Sequence, residues 1–540
     1  MSSLEAKKPT YATSVGSEVV PEGEPIGDRP SGTASTFAKN STLSVGRIFV
    51  TAAVALVLPS YLAHKLTVKT YSAWVLILQL GAYVTYLDFG IQSGISKYVA
   101  EYEARRDLAG ASMRASAGLA LMLITSALGV LLTLLLAWQV PQLFHDMPAN
   151  LYRDVRLSVV FVGISLSFGL LCSICSAIFF GLQRYAVPMF LLLGNRILFT
   201  AVVLLAVALH QSLAVMGALV AAVNIFTGLL QLGAWRRWAS KIRLRLRQLD
   251  RSVVLKMLGY CSSLAIWTAG MLCVSGLDVV IVGRYDFGQT AFYAVATLPT
   301  NFLISILGAA LAPLIPAVSA LSVHRSPSDL GASLGRATRY TSVLLILSGL
   351  PLLVAGYLAL HVWVGPTYAA HAIAYLRILV LANILRFTCA PYANMLVATD
   401  NQRVAIIGVV AEATVNVACS IYLARHIGAI GVAYGTLIGS FVSVCAHFTV
   451  NMHYTITKFA ISRMRLFFSG LLRPGAIAIP SLLLVPFWWS SSAPRFNSQV
   501  WIAWSVATVL LAWLVGLNPE ERGALVTLVK RHINPRSSYN

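Results

Sequence analysis

The chain has 540 residues, of which 58% are hydrophobic and only 11% are charged. Because a soluble domain carries about 25% charged residues, this composition excludes a soluble globular protein. The formal net charge of +21 would suit a nucleic-acid partner, but the Lys and Arg residues concentrate in short connections between apolar stretches, which indicates a membrane protein and no nucleic acid.

Residues 1–39 are polar and rich in Ser, Pro, Gly and acidic residues, and they lack the apolar stretch of a signal peptide. A segment of this composition cannot bury enough apolar surface to fold. We therefore predict a disordered cytoplasmic tail at 1–39.

About fourteen apolar stretches of roughly 20 residues follow, and each is long enough to cross about 30 Å of hydrocarbon as a helix. The predicted fold class is therefore an all-α polytopic membrane protein. The predicted transmembrane helices lie at 43–63, 74–99, 112–136, 157–180, 188–208, 213–235, 258–283, 290–316, 340–362, 372–396, 404–424, 429–452, 470–489 and 500–516.

The strongest basic run, RRWASKIRLRLRQLDR at Arg236–Arg251, follows the sixth predicted helix. We predict two six-helix bundles, which form a 12-helix core, and two additional C-terminal helices. The segments are an N-terminal bundle at 40–235, a basic cytoplasmic linker at 236–257, a C-terminal bundle at 258–452, two further helices in 453–516 and a cytoplasmic tail at 517–540. The linker suits anionic membrane lipids as partners, although a plain topology anchor explains the same pattern.

The distribution of basic residues also predicts orientation, because cytoplasmic loops carry the excess of Lys and Arg. If the N-terminus is cytoplasmic, most of the 40 basic residues lie on that side. The loops of the opposite side hold Lys65, Lys69, Arg153, Arg156, Arg284, Arg425 and Arg495. We therefore expect a multi-pass protein of the bacterial inner membrane with both termini in the cytoplasm.

Ionisable side chains also occur inside the predicted spans, where each costs about 3 kcal/mol if it faces lipid. They are Arg47, Asp88, Arg196, Asp278, Arg377, Arg386 and Glu412. Arg47, Asp278 and Arg377 lie near span ends, where a side chain can also extend to the interface. The other four lie close to mid-span and predict either an aqueous cavity or buried ion pairs. The two candidate pairs are Asp88 with Arg196 and Arg386 with Glu412.

Two further features inside spans each allow two interpretations. Trp267 lies near the middle of its helix, away from the interfacial tryptophans, and it either stacks on a sugar ring or packs in the core. Cys172 and Cys175 form a lone CxxC without a second ligand pair, and we interpret them as small packing residues. We predict no metal and no cofactor.

The segment Tyr86–Asp107, YLDFGIQSGISKYVAEYEARRD, resembles the end of the second helix in bacterial polysaccharide flippases of the multidrug/oligosaccharidyl-lipid/polysaccharide superfamily. The resemblance lies in a Leu-Asp-Phe-Gly-Ile core followed by Tyr-Val-Ala-Glu-Tyr and charged residues. LDVVIVGRY at Leu277–Tyr285 looks like the Asp…Gly-Arg element of the seventh helix in that family, and Asn40 and Gly46 match the start of its first helix loosely.

This resemblance implies alternating access between two six-helix bundles, with undecaprenyl-pyrophosphate-linked oligosaccharide as the substrate. The implied substrate-binding residues are Arg47, Arg196 and Arg386, because guanidinium groups are permanently charged and bind phosphates in a bidentate manner. Asp88, Asp278 and Glu412 are the candidates for carrying a coupling cation or tuning those arginines. Polysaccharide polymerase and chain-length proteins are candidate partners.

Three alternatives remain at this stage. A multidrug exporter and a lipid II flippase belong to the same superfamily, and the excess of intraspan arginines over carboxylates favours an anionic substrate over cationic drugs. A membrane polysaccharide polymerase or ligase is an enzyme and would need a large external loop, whereas the predicted external loops are short. The sequence also lacks a nucleotide-phosphate loop, so we expect a transporter without ATP coupling.

Overall fold

The computed structural model describes residues 53–315, 318, 326–399, 401–485, 498–523 and 526–527. Over these residues the chain is helical and contains no strand. Thirteen helices within the same ranges are long and apolar enough to cross a membrane. They correspond to the last thirteen predicted spans, which confirms the all-α polytopic class, and the first span is described only from residue 53 onwards.

The N-terminal half consists of seven helices, because one predicted span is divided in two. They are α1 (53–65), α2 (Val68–Tyr86), α3 (Ile91–Ala104), α4 (Leu108–Leu143), α5 (Ala149–Gly181), α6 (Ala186–Ala208) and α7 (Leu213–Trp238).

The expected continuous helix at 74–99 is interrupted between α2 and α3. Phe89 and Gly90 both adopt positive φ angles, 46° and 76°, in the left-handed region that ends a helix. A Cβ at Gly90 would lie 2.5 Å from Leu264 Cδ1, so the break also allows close packing against the C-terminal half. Hydropathy did not reveal this interruption because residues 68–104 pass as one span when hydropathy is averaged over a window long enough to cross a membrane.

The C-terminal half begins after the linker and shows more interruptions. Its helices are α8 (Arg251–Met271), α9 (Asp278–Tyr285), α10 (Thr290–Leu311), α11 (Pro327–Val354), α12 (Gly356–Val364), α13 (Pro366–Phe387), α14 (Ala390–Ala398), α15 (Gln402–Ile427), α16 (Ala429–Ala446) and α17 (Met452–Phe459). A π turn at Leu272–Gly276 joins α8 to α9. Such turns leave backbone carbonyls free to bind other groups.

The two halves share one hydrophobic core at the end of the bundle that carries the α1–α2 and α9–α10 connections. Leu76 and Ile77 of α2 belong to the same buried cluster as Val282 and Tyr293 of the C-terminal half. We call this end the closed end, because apolar side chains of both halves exclude water there.

At the opposite end, which carries the α3–α4 connection, the buried residues form two separate clusters. One joins α3, α4, α5 and α7 with the first half of α8, through residues such as Ile95 and Met257. The other lies within the C-terminal half and contains Leu334, Tyr392 and Phe459. We call this end the open end.

Two C-terminal spans, α18 (Arg463–Leu483) and α19 (Gln499–Gly516), pack against the C-terminal half. The segment after α19 is fastened by a buried ion pair in which the Arg339 guanidinium of α11 donates to both carboxylate oxygens of Glu521. Each of these residues is 6% exposed. Arg473 of α18 adds a bond of 2.8 Å to the carbonyl of Val515. The two additional helices are therefore an integral part of the fold.

We expect Glu521→Gln to destabilise the docked C-terminal segment by about 3 kcal/mol, because it leaves the buried guanidinium of Arg339 without its counter-charge. Hydrogen–deuterium exchange over residues 518–523 measures the effect. The neighbouring exposed residue provides the matched control, and Glu520→Gln should leave exchange unchanged.

The same contact should respond to acid. Burial alone would raise the pKa of Glu521, but hydrogen bonds from Arg339 and from the Asn518 N–H outweigh burial and lower the pKa below its ordinary value. The stabilisation is therefore present above the ordinary carboxyl pKa and is lost as the pH falls through the lowered one. Exchange that stays constant on acidification would contradict the role of this ion pair.

Candidate functional site

A cluster of ionisable side chains is buried in the C-terminal half, next to the π turn. Arg386 of α13 forms an ion pair with Glu412 of α15, through a hydrogen bond from Nε to Oε1. The two side chains are only 12% and 7% exposed. The structure thus realises the buried pair that the sequence offered as an alternative to a cavity for these two residues.

Asp278 at the start of α9 joins this cluster from a third helix. Its Oδ2 accepts hydrogen bonds from Tyr293 on α10 and Thr436 on α16, at 3.3 Å and 3.1 Å. Asp278 is 6% exposed, so its carboxylate does not extend to the interface. Arg386 also lies close enough to act electrostatically on Asp278.

Two polar atoms of the cluster are buried without a partner among the described residues. They are Oδ1 of Asp278 and Nη2 of Arg386. An unsatisfied buried polar atom costs about 1–3 kcal/mol, so these two atoms are the groups of the cluster that could engage a further partner. With all three side chains ionised, the cluster carries one net negative charge, which a proton or a monovalent cation would neutralise.

Asn416 connects the cluster to the π turn. It lies one turn after Glu412 on α15, and its Nδ2 donates to the carbonyl of Val274 at 2.6 Å. Its Oδ1 accepts from Ser420 at 3.0 Å. The opened backbone at Leu272–Gly276 is therefore held by α15, so a change at Glu412 has a direct structural route to the turn.

The same π turn holds the closed end together. The carbonyl of Gly276 accepts hydrogen bonds from Gln79 Nε2 at 2.7 Å and from Tyr83 Oη at 2.9 Å. Nearer the end of the bundle, the N–H of Ala291 donates to Ser72 Oγ at 3.1 Å. The charged cluster and the contact between the halves thus meet at one short segment.

The exposure of two helices increases from the closed end towards the open end. On one face of α6, Thr200, Val203 and Val207 are buried near the closed end. The same face is exposed at Arg196 and Leu192. On α10, Thr290 is buried, whereas Asn301 and Ser305 are exposed. This trend is consistent with the aqueous cavity that the mid-span ionisable residues predict, opening towards the open end.

The remaining predicted residues occupy different places. Arg196 is exposed on the opening face of α6 and forms no ion pair with Asp88 among the described residues. Asp88 lies in the break between α2 and α3, where its Oδ1 accepts from the N–H of Gln92 at 3.2 Å. Arg377 is buried and donates to the carbonyl of Leu353 at 3.3 Å, so it does not extend to the interface. Arg47 and the side chain of Trp267 lie outside the described residues.

Sequence reasoning missed a polar network in the N-terminal half. Asn195 of α6 donates to Asn224 and Thr227 of α7, at 3.3 Å and 2.9 Å, and Asn224 donates to Ser165 of α5 at 3.1 Å. These residues are uncharged, so the search for intraspan charges passed over them. Asparagines in apolar spans are the signal that could have found them, because amides in hydrocarbon require partners.

An apolar groove of about 330 Å³ lies where α1 approaches α10. It is lined by Leu56 of α1, Pro299 and Phe302 of α10, and Trp363 of α12. The groove touches both halves and is almost free of polar atoms, so it can take a hydrocarbon chain but no charged group.

No protein-family model matches the chain, and no curated protein does. Solved structures share its fold. The lipid II flippase MurJ in an inward closed conformation matches with a TM-score of 0.66 at 12% identity, over 91% of this chain and 99% of that one. A multidrug resistance MATE family transporter of the MOP superfamily, in an inward-facing conformation, matches with a TM-score of 0.59 at 15% identity, over 77% and 94%. A MOP superfamily transporter from Pyrococcus furiosus matches with a TM-score of 0.54 at 15% identity, over 80% and 96%.

Proposed function

We propose that this chain is a transporter of the MOP superfamily that moves undecaprenyl-pyrophosphate-linked oligosaccharide from the cytoplasmic to the periplasmic leaflet by alternating access. The observation that carries the proposal is the arrangement of the two halves. They share a hydrophobic core at the closed end, whereas at the open end the N-terminal half packs with α8 alone and the rest of the C-terminal half has its own cluster; a charged cluster is buried beside their contact. The predicted topology places the open end in the cytoplasm, where such a substrate is loaded.

The chemistry of the substrate suits the exposed faces of this cleft. A pyrophosphate cannot cross hydrocarbon bare, because an ion loses its hydration there. Arg196 is exposed where the cleft widens and offers a permanent positive charge for this group. The apolar groove beside Phe302 and Trp363 offers a separate place for the polyprenyl chain. Head and tail would thus travel in different environments.

The buried cluster is the proposed coupling site. Asp278 and Glu412 together exceed the single positive charge of Arg386, so binding of a proton or a monovalent cation would neutralise the cluster. Loss of negative charge weakens the hold of Glu412 on Arg386 and frees the guanidinium for other partners. Because Asn416 donates a hydrogen bond to the π turn, this change would reach Gly276 at the end of that turn. The Gly276 carbonyl accepts the hydrogen bonds from Gln79 and Tyr83 that join the two halves. Arg386 would therefore become available to the substrate when the cluster is neutralised.

Lipid II is the second candidate substrate. The match to the MurJ structure covers 91% of this chain, whereas the two other matches cover 77% and 80%. Lipid II also combines a polyprenyl chain, a pyrophosphate and a sugar head, so the same cleft and groove would suit it. An anionic head with a long apolar tail is common to both candidates and separates them from cationic drugs.

Deleting the gene in its native host tests the proposal. We expect an isoprenoid-linked oligosaccharide to accumulate on the cytoplasmic leaflet, as measured by mass spectrometry of extracted lipids, and surface polysaccharide to disappear. Reintroducing the wild-type chain should reverse both effects. Accumulation of lipid II with loss of viability would point to the second candidate, and an altered drug susceptibility with normal lipids would overturn both.

A further inference from the structure

A basic cleft lies outside the transport pathway described above, between the start of α4 and the linker that follows α7. Its volume is about 900 Å³. Four cationic side chains line it, and the acidic residue that joins them is Asp107. The cationic residues are Arg114, Lys241, Arg243 and Arg245. We propose that this cleft is a binding site for a phosphate or pyrophosphate group, and the inference does not depend on the proposed transport function.

The linker presents its charges in a fixed position, because its residues 243–245 are docked on α4 with the backbone outside any helix and extended at Arg245. The N–H groups of Arg243 and Arg245 donate to the hydroxyls of Ser112 and Ser116, at 3.0 Å and 2.9 Å. Those serines lie one turn apart on α4, a rise of about 6 Å, which is close to the roughly 6.6 Å between alternate residues of a strand. Because these two distances nearly match, the two serines of α4 can accept hydrogen bonds from alternate N–H groups of the linker.

The alternation of Arg243, Leu244 and Arg245 then decides where these side chains point, and the turn before them places Lys241 and Ile242. Successive residues of an extended strand face opposite sides. Ile242 is 1% exposed and packs in the hydrophobic cluster of the open end, with Leu244 beside it. Lys241, Arg243 and Arg245 are exposed on the other side, where they line the cleft. The positive charges are therefore held in place by backbone bonds and by apolar anchors.

The charged side chains on the opposite wall, at the start of α4, are also fixed in place by contacts. The Arg114 guanidinium stacks 3.6 Å above the ring of Tyr102, and its Nη1 donates to the carbonyl of Gly110 at 3.3 Å. Asp107 is engaged as the helix cap of α4, since its Oδ1 accepts from the Gly110 N–H at 2.8 Å. The cleft thus combines four positive charges with one occupied carboxylate, which favours a multiply charged anion.

The depth of the cleft points to phosphate at the membrane surface. Exposed apolar side chains of α4 form a band from Leu123 to Trp138 that faces lipid. Ser116 precedes Leu123 by seven residues, or roughly 10 Å of helix. This distance places the cleft beside the headgroups, whose layer extends several ångströms beyond the hydrocarbon. The phosphoryl group can therefore come from a lipid headgroup or from a soluble phosphate.

Binding of inorganic pyrophosphate to the full chain in phosphatidylcholine nanodiscs tests the site by calorimetry. Lys241→Gln, Arg243→Gln and Arg245→Gln combined should weaken binding about tenfold, because three charged contacts are lost. The backbone bonds to the serines remain, so the fold should persist. Arg236→Gln, Arg237→Gln and Arg251→Gln remove the same charge outside the cleft and should change binding less than about twofold. Equal weakening by both triple variants would overturn the proposal.

A second variant separates geometry from charge. Ser112→Ala with Ser116→Ala keeps every charge but removes the two acceptors of the linker, and we expect weaker pyrophosphate binding. Full affinity in this variant would contradict the cleft as a built site. Nanodiscs that contain phosphatidylglycerol identify the source, because a resident lipid headgroup should compete with pyrophosphate. If the wild-type chain neither binds pyrophosphate nor enriches phosphatidylglycerol, the proposal is overturned.

Discussion

Glu412→Ala is expected to abolish transport and to destabilise the protein by about 3–5 kcal/mol, because removing one partner of a buried ion pair leaves the other charge uncompensated. Arg386 is the charge left behind, and its Nη2 already lacks a partner among the described residues. Thermal unfolding of the purified chain measures stability, and complementation of the deletion strain measures transport.

Two further variants show which part of this effect belongs to function. Arg386→Met with Glu412→Leu removes both charges and should regain most of the stability, since apolar replacement of a buried pair is often neutral. It should not regain transport, because the coupling site is gone. Glu101→Gln breaks the exposed pair with Arg105 and should cost less than about 1 kcal/mol. Transport by the stable double variant would exclude a coupling role for the cluster.

Joining Ser72→Cys to Ala291→Cys by a disulfide is expected to stop transport almost completely. These residues are in contact across the closed end, where the Ala291 N–H lies 3.1 Å from Ser72 Oγ. A disulfide requires a Cβ separation of about 3.5–4.5 Å, and this direct contact makes the pair the position to cross-link. Alternating access needs the halves to separate here, so a covalent bond holds one state. Accumulation of the lipid-linked intermediate measures the loss.

The controls are the two chains that carry only one of the substitutions, Ser72→Cys or Ala291→Cys, and reduction of the double variant. Each single variant should transport normally, and a small reductant should restore transport by the double variant. The native cysteines do not interfere with this comparison, because they are present in every variant. Undiminished transport by the fully cross-linked chain would contradict alternating access at the closed end.

The sequence anticipated the buried ion pair only as one of two alternatives. Arg386 and Glu412 are near mid-span and 26 residues apart in the chain, so their depth could be read from hydropathy but their contact could not. Asp278 is a stronger example of a contact that hydropathy cannot predict, because its hydrogen-bond partner Thr436 lies 158 residues away in the chain. The uncharged network of Asn195 and Asn224 escaped attention altogether, because no charge marked it.

The sequence by itself determined that this is a helical membrane protein and where the thirteen spans within the described residues lie. These properties follow from hydropathy over windows of about 20 residues, a length that the thickness of the hydrocarbon sets. The tertiary structure alone decided the helix break at Phe89, the clamp of Glu521 on Arg339, the closure of the halves at one end and the docking of the linker on α4. Each of these depends on contacts between segments far apart in the chain, where packing and hydrogen bonding select among arrangements that local sequence allows equally.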